Sequence, residues 1–454
     1  MGIGIFSLII YIVLIFILNM GLKRKMAEAL MWAFLALLVI STTLGGKSAP
    51  VMFITGVKTV LSQEVTFGVI AFMVMALLMQ ETGIMKRLIG ILNCLFGKIP
   101  GGAAYVSTIA SALFGMVSGS GSGNSASVGA ITIPWMKESG FSDKRATTIV
   151  AGNAGLGVVF PPSSSMLLLL GMETIKADVT SNQLYISMMF VGLVVLLYRL
   201  ALSYIYVKKD GISGAVPSES FSRTFKKNKS SLLLFLGIII PLLVQMGPLS
   251  SWIQRRISET DGAYKTISLV VWVPVMMIIF VLIEGWRYLP HSFKGWRKLI
   301  DGSISKCADA GIIIFAIASV GILSRIGMQE EFLTLFGKLQ EVSPLIIILA
   351  IAVLVTLLAG PFSATAATTA VGAICYSASV SIGVPPVAAC VSFLLLVSNE
   401  GCVPPNSAPI FIASSIAGLD NPGSIFKDLF LHYAIPVIVI SVLIMLRVFP
   451  VIGA

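Results

Sequence analysis

The sequence is short of charge, of histidine and of any nucleotide-binding loop. Only 11% of its 454 residues are Asp, Glu, Lys or Arg, against about 25% in a soluble domain. With 57% hydrophobic residues and a mean hydropathy of +0.98, that deficit excludes an ordinary soluble domain and indicates a polytopic membrane protein. The apolar runs are nearly continuous and do not alternate as barrel strands would, so the spans are read as helices. Two histidines, His291 and His432, are too few for a His-built metal or catalytic centre. The five cysteines, Cys94, Cys307, Cys375, Cys390 and Cys402, are scattered and include no CxxC pair. They read as small apolar membrane residues, not as a disulfide frame or metal site. No GxxxxGK[ST] loop occurs, which argues against an ATP-driven pump. The serines flanked by glycine at 120 and 122 have no paired histidine motif, so the chain is not read as an enzyme. The net charge of +11 lies in short loops, as the positive-inside rule expects, so no nucleic-acid partner is expected.

What the sequence does have is concentrated in Ser111–Met166. The middle of this stretch, Ser118–Ser127, is nearly all Gly, Ser and Asn. Gly costs roughly 1 kcal/mol per helical position relative to Ala, so this run predicts a break in the helix. Irregular backbone at membrane depth is tolerated where protein buries it or where it lines a wet cavity. The pattern returns once. Val128-Gly129-Ala130-Ile131 matches Val371-Gly372-Ala373-Ile374, and Pro161-Pro162 matches Pro404-Pro405, both 243 residues later (371 less 128, and 404 less 161). In that register Ser120 meets Ser363 and Ser164 meets Ser407. Two interrupted apolar segments at corresponding places in two halves point to the binding site of a secondary transporter.

The fold class expected is an all-α polytopic membrane protein with two repeats. Residues 1–66 read as N-terminal helices. The first repeat covers 67–207, a basic cytoplasmic linker 208–229, further helices 230–302, the second repeat 303–429 and a last helix 430–454. Lys23, Arg24 and Lys25 follow the first apolar run, where a signal peptide would carry its charge first. That order predicts an uncleaved span with the N-terminus outside. The loop 247–265 is expected outside and the loop 284–301 inside. Residues 51–62 read as an interfacial or re-entrant piece, and the helix returning from the first break is expected to end at Pro134.

A broken helix leaves carbonyls free at one half and N–H groups at the other. Carbonyls with Ser, Thr and Asn oxygens suit a hard cation such as sodium, and half-helix N-termini suit an anionic solute group. Candidate sodium ligands are Ser118, Ser120, Ser122 and Asn124 in the first half, with Ser363, Thr365 and Thr368 in the second. Ser125 and Thr369 lie in the same runs. Candidate solute contacts are Asn153, Ser163 and Ser164 around the first Pro-Pro, with Asn399, Glu400, Asn406 and Ser407 around the second. Small residues also let membrane helices pack closely, and that reading stands beside the functional one for each serine. Glu400 fits a sodium ligand, a proton carrier or a carboxylate on a water-facing loop. No cofactor is expected, and no metal other than sodium as the coupling ion.

Several pieces resemble the large membrane subunit of the tripartite ATP-independent periplasmic (TRAP) transporters. They are Gly101-Gly102-Ala103-Ala104, SALFGMVSGS at 111–120, GAITIPWMKESGF at 129–141, the FPPS break at 160–163 and PPNSAPIFIASSIAG at 404–418. The match covers most of the chain and is strongest in residues 67–170. The first break is richer in glycine than the family pattern, and Ser398-Asn399-Glu400 stands where a more apolar approach to Pro-Pro is expected. The resemblance implies a sodium-coupled, elevator-type importer of organic acids such as dicarboxylates or sialic acids, with inverted repeats and re-entrant hairpins in the inner membrane. It further implies a small four-helix membrane subunit and an extracytoplasmic substrate-binding protein. A symporter of the same superfamily that works without a binding protein is the alternative, and an anion channel a third reading.

Overall fold

The computed structural model describes residues 2–452 except 23, 25, 63, 119–120, 213–220, 246–251, 254–255, 257–268, 304–306, 329, 332–333, 335–342, 361–362 and 404–406. Ser120 and Asn406 therefore lie outside the described residues, as does most of the loop 247–265. The described secondary structure is helical, without strands.

The chain enters through α1 (Ile3–Phe16), α2 (Met26–Thr43), α3 (Ala49–Ser62) and α4 (Glu64–Thr82). Residues 49–62 form a helix with Met52, Gly56 and Val60 buried, and it packs on its neighbours in this group. Next come α5 (Ile84–Phe96), α6 (Gly102–Ser118) and α7 (Gly121–Glu138). Of the run Ser118–Ser127, for which a break is predicted, residues 119 and 120 lie outside the described residues. Gly121 through Ser127 is helical despite its glycines, because α7 is packed between α6, α8 and a helix from the second half. Tertiary burial overrides a weak local propensity. Helix α7 also runs through Pro134 to Glu138, so the return helix does not end at the proline.

Then follow α8 (Asp143–Asn153), α9 (Leu156–Val159), α10 (Ser164–Leu170), α11 (Glu173–Lys176) and the long α12 (Ser181–Lys209). Ser142 caps α8 and Thr180 caps α12 with a reciprocal Gln183 contact, both satisfying backbone N–H groups that a helix start leaves free. Beyond the linker are α13 (Phe221–Asn228), α14 (Leu236–Gln245), α15 (Leu269–Gly285), α16 (Phe293–Ser303) and α17 (Cys307–Arg325). The second half closes with α18 (Pro344–Ala359), α19 (Ala364–Ser381), α20 (Pro386–Val397), α21 (Ala408–Ala417), α22 (Phe426–Leu429) and α23 (Ile435–Met445).

Helix boundaries keep the sequence register. Helix α7 starts at Gly121 and α19 at Ala364, while α8 starts at Asp143 and α20 at Pro386; both offsets are again 243 (364 less 121, 386 less 143). Packing exchanges between the halves: α7 lies on α21, and α19 lies on α10. The second arm of each hairpin therefore rests on the far half of the other broken helix. Among the described residues four helical runs, 143–170, 181–209, 271–288 and 422–445, are long and apolar enough to cross a membrane, and shorter apolar helices accompany them.

Candidate functional site

The two breaks cross each other. Gly155, between α8 and α9, lies so close to the Ser398 carbonyl oxygen that a Cβ would collide with it. Ser398 is the repeat partner of Gly155 (398 less 155 is 243). A residue touching its own repeat mate marks the local two-fold relation between the halves. Gly401 meets the Ala151 carbonyl oxygen in the same way. Glycine is required here for backbone approach, since Gly155 itself has an ordinary helical φ of −64°.

Buried amides converge on this crossing. Asn124, early in α7, donates from Nδ2 to the Ser111 carbonyl at 2.9 Å and to the Ala154 carbonyl at 3.2 Å. It thereby ties α7 to α6 and to the junction of α8 and α9. Asn153 ends α8 and donates to Thr108 Oγ1 at 2.9 Å. Both amide oxygens are buried without a hydrogen-bond partner among the described residues, and Asn399 lacks one at both amide atoms. All three residues are fully buried. Orphan buried acceptors are uncommon and call for an explanation.

Glu400 is buried beside them, 4% exposed. Its Oε2 accepts the backbone N–H of Ala364, the first residue of α19, at 2.6 Å. Its Oε1 lies against the backbone of Gly121, the first residue of α7, where a Cβ would collide. Ser407 Oγ donates to the Glu400 carbonyl, holding the approach to α21 onto the break.

The other sequence candidates divide. Ser164 Oγ and Thr365 Oγ1 meet across the halves at 3.1 Å, a contact between a solute candidate and an ion candidate. Ser163 caps α10 by accepting the Met166 N–H at 3.3 Å, and Ser363 caps α19 by accepting the Ala366 N–H at 3.3 Å. Thr368 donates to the Ala364 carbonyl at 2.7 Å within its helix. Each of these three hydroxyls thus makes a hydrogen bond to its own helix. Ser122 is half-buried in α7; Ser118 ends α6, and its side chain lies outside the described residues.

Sequence reasoning missed three participants. Thr108 receives Asn153 and lies 3.1 Å from Ser203 Oγ. Gly155 forms the crossing. Arg199, inside α12 and 3% exposed, stacks over the Tyr433 ring at 4.2 Å. A lone Arg in an apolar segment was the available signal, since such residues carry function or find a partner inside the protein. Chemically, the crossing holds the Glu400 carboxylate between two helix N-termini and offers buried amide oxygens to a cation.

A family model described as the DctM component of the tripartite ATP-independent periplasmic transporter matches residues 5–452. The large permease protein SiaM of a sialic acid TRAP transporter from Vibrio cholerae is 21% identical over 86% of both chains. The isethionate TRAP permease protein DctMQ of Oleidesulfovibrio alaskensis is 23% identical over 84% of this chain, which spans only 57% of that longer relative. The large permease DctM of a C4-dicarboxylate TRAP transporter from Pseudomonas aeruginosa is 29% identical over 37% of this chain and 39% of its own. Two solved transporters share the fold. Alcanivorax borkumensis YdaH aligns with a TM-score of 0.66 at 15% identity, over 93% of this chain and 98% of its own. Neisseria gonorrhoeae MtrF aligns with a TM-score of 0.55 at 13% identity, over 86% and 82%. Crossed repeat-related breaks, two converging hairpins and a family match over nearly the whole length lead to one conclusion: this chain belongs to the DctM component family of the tripartite ATP-independent periplasmic transporters.

Proposed function

We propose that the chain is the large membrane subunit of a sodium-coupled secondary transporter that imports an organic acid across the cytoplasmic membrane, with its N-terminus outside. The observation that carries this reading is the meeting, at one crossing, of two repeat-related helix N-termini with two repeat-related breaks. The Glu400 carboxylate meets these helix starts, as a helix N-terminus favours, and the free oxygens of Asn124 and Asn153 suit a hard cation. The solutes named for relatives, sialic acid, isethionate and C4-dicarboxylates, support an organic anion. The tripartite family description supports two partners, which we assign as a small four-helix membrane subunit and an extracytoplasmic substrate-binding protein. In this reading 67–207 and 303–429 carry the site and move, elevator-fashion, against 1–66 and 230–302.

Energetics favour more than one sodium ion. One charge crossing 100 mV is worth about 2.3 kcal/mol, and a tenfold gradient about 1.4 kcal/mol. Two sodium ions supply about 7.4 kcal/mol. A dianion entering against the potential uses about 4.6 kcal/mol of that. About 2.8 kcal/mol remains, enough for roughly 100-fold accumulation.

The test is uptake by proteoliposomes holding the chain and its small subunit, with binding protein outside. The panel is radiolabelled succinate, N-acetylneuraminate and isethionate. An inward sodium gradient should drive accumulation of at least one, with a Hill slope above one for sodium. The same uptake after replacing sodium by potassium would contradict the coupling. Equal uptake without the binding protein would assign the chain to an independent symporter.

A further inference from the structure

Glu400 has no acidic counterpart in the first half. The register that aligns Gly121 with Ala364 and Pro161 with Pro404 places Gly157 opposite Glu400. One carboxylate consequently lies between two repeat-related helix starts: its Oε2 accepts the Ala364 N–H at 2.6 Å, while its Oε1 lies against the backbone of Gly121 with no hydrogen-bond partner among the described residues. Both helices are 18 residues long, and each start carries roughly half a positive charge. Among the described residues Glu400 enters no ion pair with a basic side chain. The backbone N–H at the start of α19 meets its charge instead. The adjoining Asn399 is an independent sign of a ligand, because its amide is fully buried with neither atom hydrogen-bonded among the described residues.

We propose that Glu400 determines solute specificity as a tethered anion. It fills the carboxylate seat made by the Gly121 and Ala364 helix starts, so the solute places no carboxylate there. The solute meets Glu400 and Asn399 with hydrogen-bond donors, hydroxyl or ammonium groups. This rests on the transport reading above and narrows it to a hydroxylated or aminated acid whose own carboxylate is held away from the two helix starts. A plain dicarboxylate should be a poor solute of the native protein.

Two substitutions separate the possibilities. Glu400→Gly restores the residue type of the first half and vacates the seat. Glu400→Gln keeps the shape and removes the charge. A buried carboxylate that is merely tolerated would make Gln neutral or stabilising. One that holds the Ala364 helix start makes it destabilising, because a charge-assisted bond to an N–H group is the stronger kind.

The experiment uses the purified full-length chain at constant sodium, with acetate exchanged for chloride. Glu400→Gly should melt several degrees below wild type and regain most of that in millimolar acetate, while wild type is indifferent. Glu400→Gln should melt lower and not respond, since its side chain still fills the seat. Radiolabelled succinate should bind Glu400→Gly at least tenfold more tightly than wild type. Acetate without effect on Glu400→Gly, Glu400→Gln more stable than wild type, or no gain in succinate affinity would each overturn the proposal. If Glu400→Gly fails to fold, Glu400→Gln and the indifference of wild type to acetate decide it. None of these readouts needs uptake, so the proposal and the transport reading fail separately.

Discussion

Gly155→Val is expected to abolish folded protein. The position has no unusual backbone angle, with φ −64° and ψ −17°, so the effect is one of space alone. A Cβ there meets the Ser398 carbonyl oxygen, and one at Gly401 meets the Ala151 carbonyl oxygen. Neither obstacle is a side-chain tip that can swing aside. Overpacking a core typically costs about 1–3 kcal/mol and occasionally more. Two crossing backbones that must separate belong to the costly end, against a total stability of about 5–15 kcal/mol. Gly171→Ala is the matched control. Its Cβ would find its nearest neighbour at 3.4 Å, ordinary contact. In size-exclusion profiles of solubilised protein, Gly155→Val should lose its monodisperse peak, Gly155→Ala should be reduced, and Gly171→Ala should run as wild type. A normal peak from Gly155→Val would show that the breaks do not cross as described.

The second large effect lies away from the crossing. Arg87 in α5 and Glu284 in α15 form a two-pronged ion pair, Nη2 to Oε2 at 2.7 Å and Nη1 to Oε1. The Glu284 side chain is 1% exposed. Ser230 Oγ also donates to Glu284 Oε1 at 2.9 Å. Arg87 further donates to the Thr82 carbonyl at 3.2 Å and lies over the Tyr288 ring at 4.6 Å. Removing one partner of such a pair costs about 3–5 kcal/mol, because it strands the other charge, whereas replacing both by apolar residues is often neutral. Arg87→Ala and Glu284→Ala should each lower the melting temperature by several degrees. The double variant Arg87→Met, Glu284→Leu should recover most of the loss. Additive losses in the double variant would mean the two side chains act independently.

How much of this was legible beforehand follows from what sequence encodes locally. The 243-residue register was readable because identical short motifs recur, and it recurs in the starts of α7 and α19 and of α8 and α20. The glycine run was misread because helix propensity is a local cost that packing of α7 between three other helices overrides. Asn153, Asn399 and Glu400 stood out as polar residues in apolar surroundings. That Gly155 touches Ser398, or that Arg87 finds Glu284 at a separation of 197 residues, had no local signature. Such contacts are set by how the halves interlock. That Ser163 and Ser363 accept the Met166 and Ala366 N–H groups was not legible either, because a cap and a ligand use the same oxygen.

The central claim is that the crossing binds sodium. The direct measurement is the melting temperature of the purified full-length chain against sodium concentration at constant ionic strength, with potassium as the replacing ion. No partner or solute is needed. Any ligand that binds only the folded state stabilises it by RT ln(1 + [L]/Kd), about 2.7 kcal/mol at 100 times Kd. Wild type should therefore show saturable stabilisation by sodium and none by potassium. Asn124→Leu, which removes a free amide oxygen at the crossing, should flatten that curve. Equal response to the two ions, or a sodium response untouched in Asn124→Leu, would contradict the account.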